Sequence, residues 1–196
     1  MGITTDRETG DSLVCVKIDM ALFGHGGVLT GSEAGVHARS EIERAIQGLI
    51  DDQPVFLDFG EVQAVSVPFI DSSLGRLLSG RIAGYYEEHP VVVYGANIDV
   101  RQTIDAGLRL HHLYALALGQ SGAELLGADE VLASTLRAAV SLRDFNVHQF
   151  AERLDLTPQA ANNRLRILLR SGALQRQRAK PERGRGGREF RYRIPA

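Results

Sequence analysis

FIDSSLGRLL (69–78) is the stretch on which the fold turns. An aspartate and two serines end one apolar run and open another whose apolar residues recur at helical spacing, which predicts a helix over 69–86. Asp71 or Ser72 then stands where a helix N-cap accepts backbone N–H bonds, worth about 1 kcal/mol. Phosphorylation of Ser72 or Ser73 would place about two negative charges at a helix start, where the helix dipole favours them. The two roles are compatible, because a capping serine is exposed. Serine catalysis is disfavoured: none of the six histidines is placed beside these serines by a motif. The chain also has no G-x-S-x-G elbow, S-x-x-K pair or P-loop. GHGG (24–27) alone reads as a turn, and His111-His112 lacks a second ligand pair at metal spacing. The expectation is a protein that is not an enzyme and uses neither cofactor nor metal.

Working outward, SLVCVKIDMALF (12–23) alternates as a strand, and 32–50 is helical with Val36, Ile42, Ala45, Ile46 and Leu49 near one face. VFLDF (55–59) and HPVVVYGA (89–96) are short continuous apolar runs of the kind found in buried strands. DVRQTIDAGLRLHHLYALAL (99–118) predicts one or two further helices. Strands alternating with helices predict an α/β domain over residues 10–120, and 119–130 a connector whose leucine pair docks somewhere.

Charge is segregated along the chain. Residues 1–133 hold 8 Lys/Arg against 19 Asp/Glu, a net of −11, while 134–196 hold 14 against 5, a net of +9. An acidic two-thirds joined to a basic third predicts two domains with different partners, the basic one facing a polyanion. The chain has no apolar run of about eighteen residues, so no membrane span is expected, and the polar MGITTDRETGDS (1–12) does not resemble a signal peptide. The single Cys15 cannot form an internal disulfide. The expected compartment is the cytoplasm.

In the basic third, EVLASTLRAAVSL (130–142) predicts a helix. Asn146 with Gln149 forms a capping-box pattern that opens VHQFAERL, with Val147, Phe150 and Leu154 inward. After a corner at Asp155, Leu156 and Thr157, Thr157 is an N-cap, Pro158 stands at the first helical position, and Gly172 stops the helix. At about 100° per residue Ala161, Leu165 and Leu168 share one face of helix 158–171. Gln159, Asn163, Arg166 and Arg170 share the opposite one, with Asn162 beside them. Such side chains read base edges in the major groove, and arginine also grips phosphate. LQRQR (174–178), the loop KPERGRGG and REFRYRI (188–194) predict a two-stranded hairpin with arginines at its tip.

Helix, capped helix, corner, helix and basic hairpin in this order resemble a winged helix-turn-helix of bacterial transcription regulators over residues 128–196. The resemblance implies that helix 158–171 is a recognition helix. It also implies that Arg183, Arg185 and Arg188 belong to a wing that touches flanking backbone or minor groove. GSEAGVHARSEIE (31–43), VFLDFGEV (55–62) and PFIDSSLGRL (68–77) resemble a STAS-like group of unknown function, in which Phe69 and Asp71 fit and Ser72 replaces the usual acid. The same segment resembles the phosphorylation loop of anti-sigma-factor antagonists. Asp71, Ser72 and Ser73 match there, but a glycine is missing before Leu74-Gly75, so Ser73 and Ser72 compete as acceptor. Together these resemblances imply an α/β, STAS-like domain followed by a small α+β winged-helix domain. The implied function is a DNA-binding regulator that forms a homodimer through helix 99–118 or helix 130–142 and meets a kinase-type regulatory protein. The alternative is a partner-switching adaptor that binds a kinase or anti-sigma factor without binding DNA.

Overall fold

The apolar runs that alternate with helical segments pair side by side as parallel strands. A computed structural model describes residues 3–6, 15–49, 52–86, 89–120, 122–178 and 190–195. The chain begins with β1 (Ile3–Asp6), β2 (Cys15–Asp19), β3 (Val28–Leu29), α1 (Ser32–Gln47), β4 (Val55–Asp58) and β5 (Ala64–Val65). Next come α2 (Val67–Ile70), a π-helical turn (Asp71–Gly75), α3 (Arg76–Ile82), β6 (Val91–Tyr94), α4 (Ile98–Arg109), β7 (Ala115–Gly119) and β8 (Gly122–Leu126). It closes with α5 (Glu130–Leu142), β9 (Asp144–Phe145), α6 (Val147–Arg153), α7 (Pro158–Arg170), β10 (Gln175–Arg178) and β11 (Phe190–Arg193). The result is a mixed α/β structure around a parallel-rich sheet of order β1-β2-β4-β6-β7-β8, antiparallel only at its two edges.

The four parallel strands are added in sequence order in one direction. Right-handed crossovers then place every connecting helix on one face of the sheet. Accordingly Ile18, Val55, Leu57, Val91, Val93, Ala115 and Ala117 share a buried cluster with Ile42 and Ile46 of α1, Leu74 and Leu77 of the central helix, and Ile104 and Leu108 of α4. Strand residues one position out of phase point the other way. Val92 and Leu116 are both fully buried against Leu132 and Leu136 of α5, with Phe145, Phe150, Leu165, Leu168 and Tyr192 in the same cluster and Phe56 and Leu118 at its margin. The C-terminal elements thus cover the second face of the sheet.

Several sequence expectations change. The helix expected over 99–118 ends at Arg109, and residues 115–119 form β7. Alanine and leucine favour helix, but Ala115-Leu116-Ala117-Leu118 also alternates with period two, and two buried faces select the strand. The connector expected over 119–130 contains β8, antiparallel to β7, with Leu125 and Leu126 buried on opposite faces. The strand expected over 12–23 ends at Asp19, whose carboxylate accepts the Ala21 N–H and opens a 3-10 turn over Met20–Phe23. In α1 the inward face is Gly35, Ala38, Ile42 and Ile46; Val36 is exposed.

The opening stretch is corrected as well. The helix starts earlier, at Ser66, whose Oγ accepts the Phe69 N–H at 3.3 Å, with Pro68 in the first turn. Asp71 and Ser72 therefore lie inside a helix and cap nothing. The Arg76 N–H reaches back five residues to the Asp71 carbonyl, which inserts a π turn between α2 and α3. Against that turn α1 offers Gly35, where a Cβ would lie 2.6 Å from the Phe69 carbonyl oxygen and 2.9 Å from Ser72 Cβ. Replacing glycine by alanine within a helix ordinarily gains about 1 kcal/mol. Here the obstructing atoms are backbone and a short side chain, so overpacking of about 1–3 kcal/mol outweighs that gain. Gly35→Ala is therefore expected to lower the midpoint of thermal unfolding; an unchanged or higher midpoint would show that α1 and the π turn are not in this contact.

Candidate nucleic-acid interface

The basic third is assembled by the local signals its sequence carries. The Asp129 carboxylate caps α5 through the Leu132 N–H at 2.8 Å. The chain reverses at Arg143, with φ of 61°, and enters β9. The capping box at α6 is complete: the Gln149 N–H donates to Asn146 Oδ1 and the Asn146 N–H to Gln149 Oε1, each at 2.9 Å. Asp155 turns the corner at φ 51°, Thr157 Oγ1 accepts the Ala160 N–H, Pro158 opens α7, and Gly172 leaves it at φ 75°. Phe145 stacks on Phe150 at 5.4 Å and on Tyr192 at 5.7 Å, which holds β9, α6 and β11 together.

α7 buries Ala161, Leu165 and Leu168 and exposes Gln159, Asn162, Asn163, Arg166 and Arg170. Among the described residues no carboxylate pairs with Arg166 or Arg170. β10 and β11 pair antiparallel from Gln175 opposite Arg193 to Arg178 opposite Phe190. The sheet has a third strand that the sequence did not announce, β9, which pairs with β11. Arg191 fastens it, donating from Nε to the Asp144 carboxylate at 2.7 Å and from Nη2 to the Asp144 carbonyl at 3.0 Å. Arg176 lies 4.5 Å over the Phe190 ring. Burial raises the pKa of the Tyr192 hydroxyl, with Arg176 acting in the opposite sense. Arg183, Arg185 and Arg188 lie outside the described residues.

One residue that no motif marked fixes the inner end of α7. Arg81, on α3 and 5 % exposed, donates from Nε to the Arg170 carbonyl at 3.2 Å and from Nη2 to that of Leu169 at 3.4 Å. Its Nη1 donates to the Tyr86 carbonyl at 2.8 Å and to that of His89. A guanidinium thereby meets the negative end of the α7 dipole. Gly172 is required beside it, since a Cβ there would stand 3.2 Å from Arg81 Nε and 3.3 Å from Pro90 Cα. Gln175 adds a second tie by donating to the Asp52 carbonyl at 2.5 Å. The rise of about 1.5 Å per residue from Pro158 to Arg170 carries the start of α7 roughly 18 Å from this anchor.

Ser72 and Ser73 lie elsewhere, in the helical layer on the other face of the sheet. Ser73 is 1 % exposed and its hydroxyl donates to the Phe69 carbonyl at 2.7 Å, whereas Ser72 is half-buried against Gly35. Asp71 pairs with His111 Nε2 at 2.9 Å, an imidazole that spacing alone did not bring to this turn. Among the described residues no cluster of His, Cys, Asp and Glu could hold a metal ion, and no helix is long and apolar enough to cross a membrane.

No family model, curated protein or solved structure matches the chain.

Removing Arg81 leaves four buried or half-buried carbonyls without a charged donor. Hydrogen bonds to charged groups contribute about 1.5–3 kcal/mol. Arg81→Met is expected to lose about 2–3 kcal/mol in denaturant unfolding. His111→Ala, whose partner Asp71 is solvent-screened, should lose less than about 1 kcal/mol. Equal losses for the two would refute the anchor.

Proposed function

We propose that this protein is a DNA-binding transcriptional regulator, with a STAS-like α/β domain over 10–120 and a winged helix-turn-helix over 128–196. The observation that carries the reading is the outer face of α7. A helix packed by Ala161, Leu165 and Leu168 presents Gln159, Asn162, Asn163, Arg166 and Arg170 to solvent, and Arg166 and Arg170 have no carboxylate partner among the described residues. Asn and Gln recognise adenine edges, and Arg recognises guanine. A solvated structural helix has no need of this composition on one face. The net charge of +9 over 134–196 supplies the non-specific attraction to phosphate.

On this reading the partner is double-stranded DNA, bound by a cytoplasmic homodimer whose two recognition helices meet two half-sites. The segment between β10 and β11, with Arg183, Arg185 and Arg188, serves as the wing on this reading. Neither catalysis nor a cofactor is part of the function. The α/β part receives the signal, from a kinase-type partner or another protein that acts on the helix carrying Ser72 and Ser73. Of the two serines Ser72 is the better acceptor, because Ser73 is buried and its hydroxyl is engaged.

The full chain titrated with genomic DNA fragments at two salt concentrations tests the reading. Affinity should fall steeply as salt rises, and absence of binding at low salt would refute it. Within the interface, Arg166→Ala is expected to cost about 1–3 kcal/mol and to relax sequence preference. Arg185→Ala should weaken all sequences alike and reduce the salt slope by about one. Identical sequence preferences and salt slopes for the two variants would exclude the assigned docking.

A further inference from the structure

Between α3 and α7 lies a groove of about 260 Å3 lined by Leu78, Ile82, Tyr114, Ile167, Arg170 and Ser171. Sites for small molecules run from roughly 300 to 1,000 Å3 and gather at junctions of this kind, so a groove just below that range takes only a small ligand. Its walls are mainly hydrocarbon. Leu78 is buried, while Ile82 on α3 and Ile167 on α7 are 47 % and 37 % exposed. Isoleucine is among the residue types most often buried, so two of them exposed along one groove mark a surface that gains by being covered.

The polar lining is sparse. Ser171 Oγ already donates to the Leu168 carbonyl at 2.9 Å. The one charged residue of the lining is Arg170, which has no carboxylate partner among the described residues. A guanidinium offers a planar fork that a carboxylate matches with two parallel hydrogen bonds. A single cation above an apolar groove complements one negative charge on a hydrocarbon body, and not a polyanion or a sugar.

The geometry points to a binding site for a small amphiphilic monocarboxylate, with the carboxylate on Arg170 and the hydrocarbon tail between Ile82 and Ile167. Its effect on DNA rests on the function proposed above. Arg170 belongs to the outer face of α7, and the same residue's carbonyl is held by Arg81. An acid in the groove neutralises Arg170 and bridges α3 to α7, so its occupation lowers affinity for DNA.

The test uses the full chain and octanoate as probe, with octanol (tail without charge) and acetate (charge without tail) as controls. Titration calorimetry should show saturable binding of octanoate. Both controls should bind about tenfold more weakly or not at all, the loss expected when either the tail or the ion pair is absent. Ile82→Gln puts an amide in the wall and Ile82→Trp fills the groove. Each should weaken octanoate by about tenfold or more, while DNA affinity without ligand stays at the wild-type value. Melting curves without ligand establish that both variants are folded. The site is refuted if octanoate does not saturate, if octanol or acetate binds as well, or if both variants bind octanoate as the wild type does. Fluorescence anisotropy with labelled genomic fragments, with and without saturating octanoate, tests the coupling: lower affinity supports it and unchanged affinity overturns it. Should the ligand-free chain bind no DNA, the proposed function fails, and calorimetry still decides the groove.

Discussion

The constraint on which the structure depends is the uncovered second face of its sheet. Because β2, β4, β6 and β7 are added in one direction, all their crossover helices lie on one side. The opposite side carries Phe56, Val92, Leu116 and Leu118, and leaving such side chains in water forfeits roughly 1.5–3 kcal/mol apiece. α5 and the elements after it supply the cover. Val92 and Leu116 consequently share a buried cluster with Phe145, Phe150, Leu165 and Leu168. The placement of α7 is thus a consequence of how the sheet is wound.

Arg81 extends that constraint from packing to orientation. Burying a guanidinium costs several kcal/mol, and four carbonyls help to offset it, two of them at the C-terminus of α7. The π turn upstream sets the phase of α3. One extra residue in the helical ladder rotates everything beyond it by about 100°. With the turn in place, Leu77 and Leu78 enter the core and Arg81 meets α7. The turn that contains Ser72 and Ser73 and the residue that holds α7 are therefore parts of one helix, eight residues or about 12 Å apart from Ser73 to Arg81.

What could be read from the sequence was what local chemistry determines. The bounds of α5, the Asn146–Gln149 capping box, Thr157-Pro158 and Gly172 around α7, and the strands in VFLDF and VVVY all depend on neighbours within a few residues. So does the polarity of α7's outer face. What was not legible depends on distant partners. Ala115–Gly119 is a strand only because it has β6 on one side and β8 on the other. Asp71 and Ser72 have the chemistry of caps but lost that place to Ser66, five residues earlier, where β5 ends. β9 is two residues long and exists through Tyr192 and Arg193. Arg81 carries no local signal in the sequence, and only the fold brings α7 to it.

Charge segregation takes on a physical meaning once the two segments form a common core. At a Debye length of about 8–10 Å, distant acidic groups are screened, and those beside the interface decide where a polyanion can lie. Asp52 lines the same cleft as Arg166, Arg170 and Arg176, next to the anchor at Arg81. Four arginines against one carboxylate leave that cleft cationic, so on the proposed reading it attracts phosphate at the inner end of α7. At the outer end, with Gln159, Asn162 and Asn163, the acidic neighbour is Asp155, exposed at the corner before Thr157. On the same reading the duplex backbone follows this cleft while Gln159, Asn162 and Asn163 face base edges. Arg166 and Arg170 belong to both surfaces, lining the cleft and standing on the outer face of α7. On that reading the α/β part shapes the interface through Asp52, Arg81 and Pro90, which form the far wall of the cleft and set how closely a phosphate backbone can approach the inner end of α7.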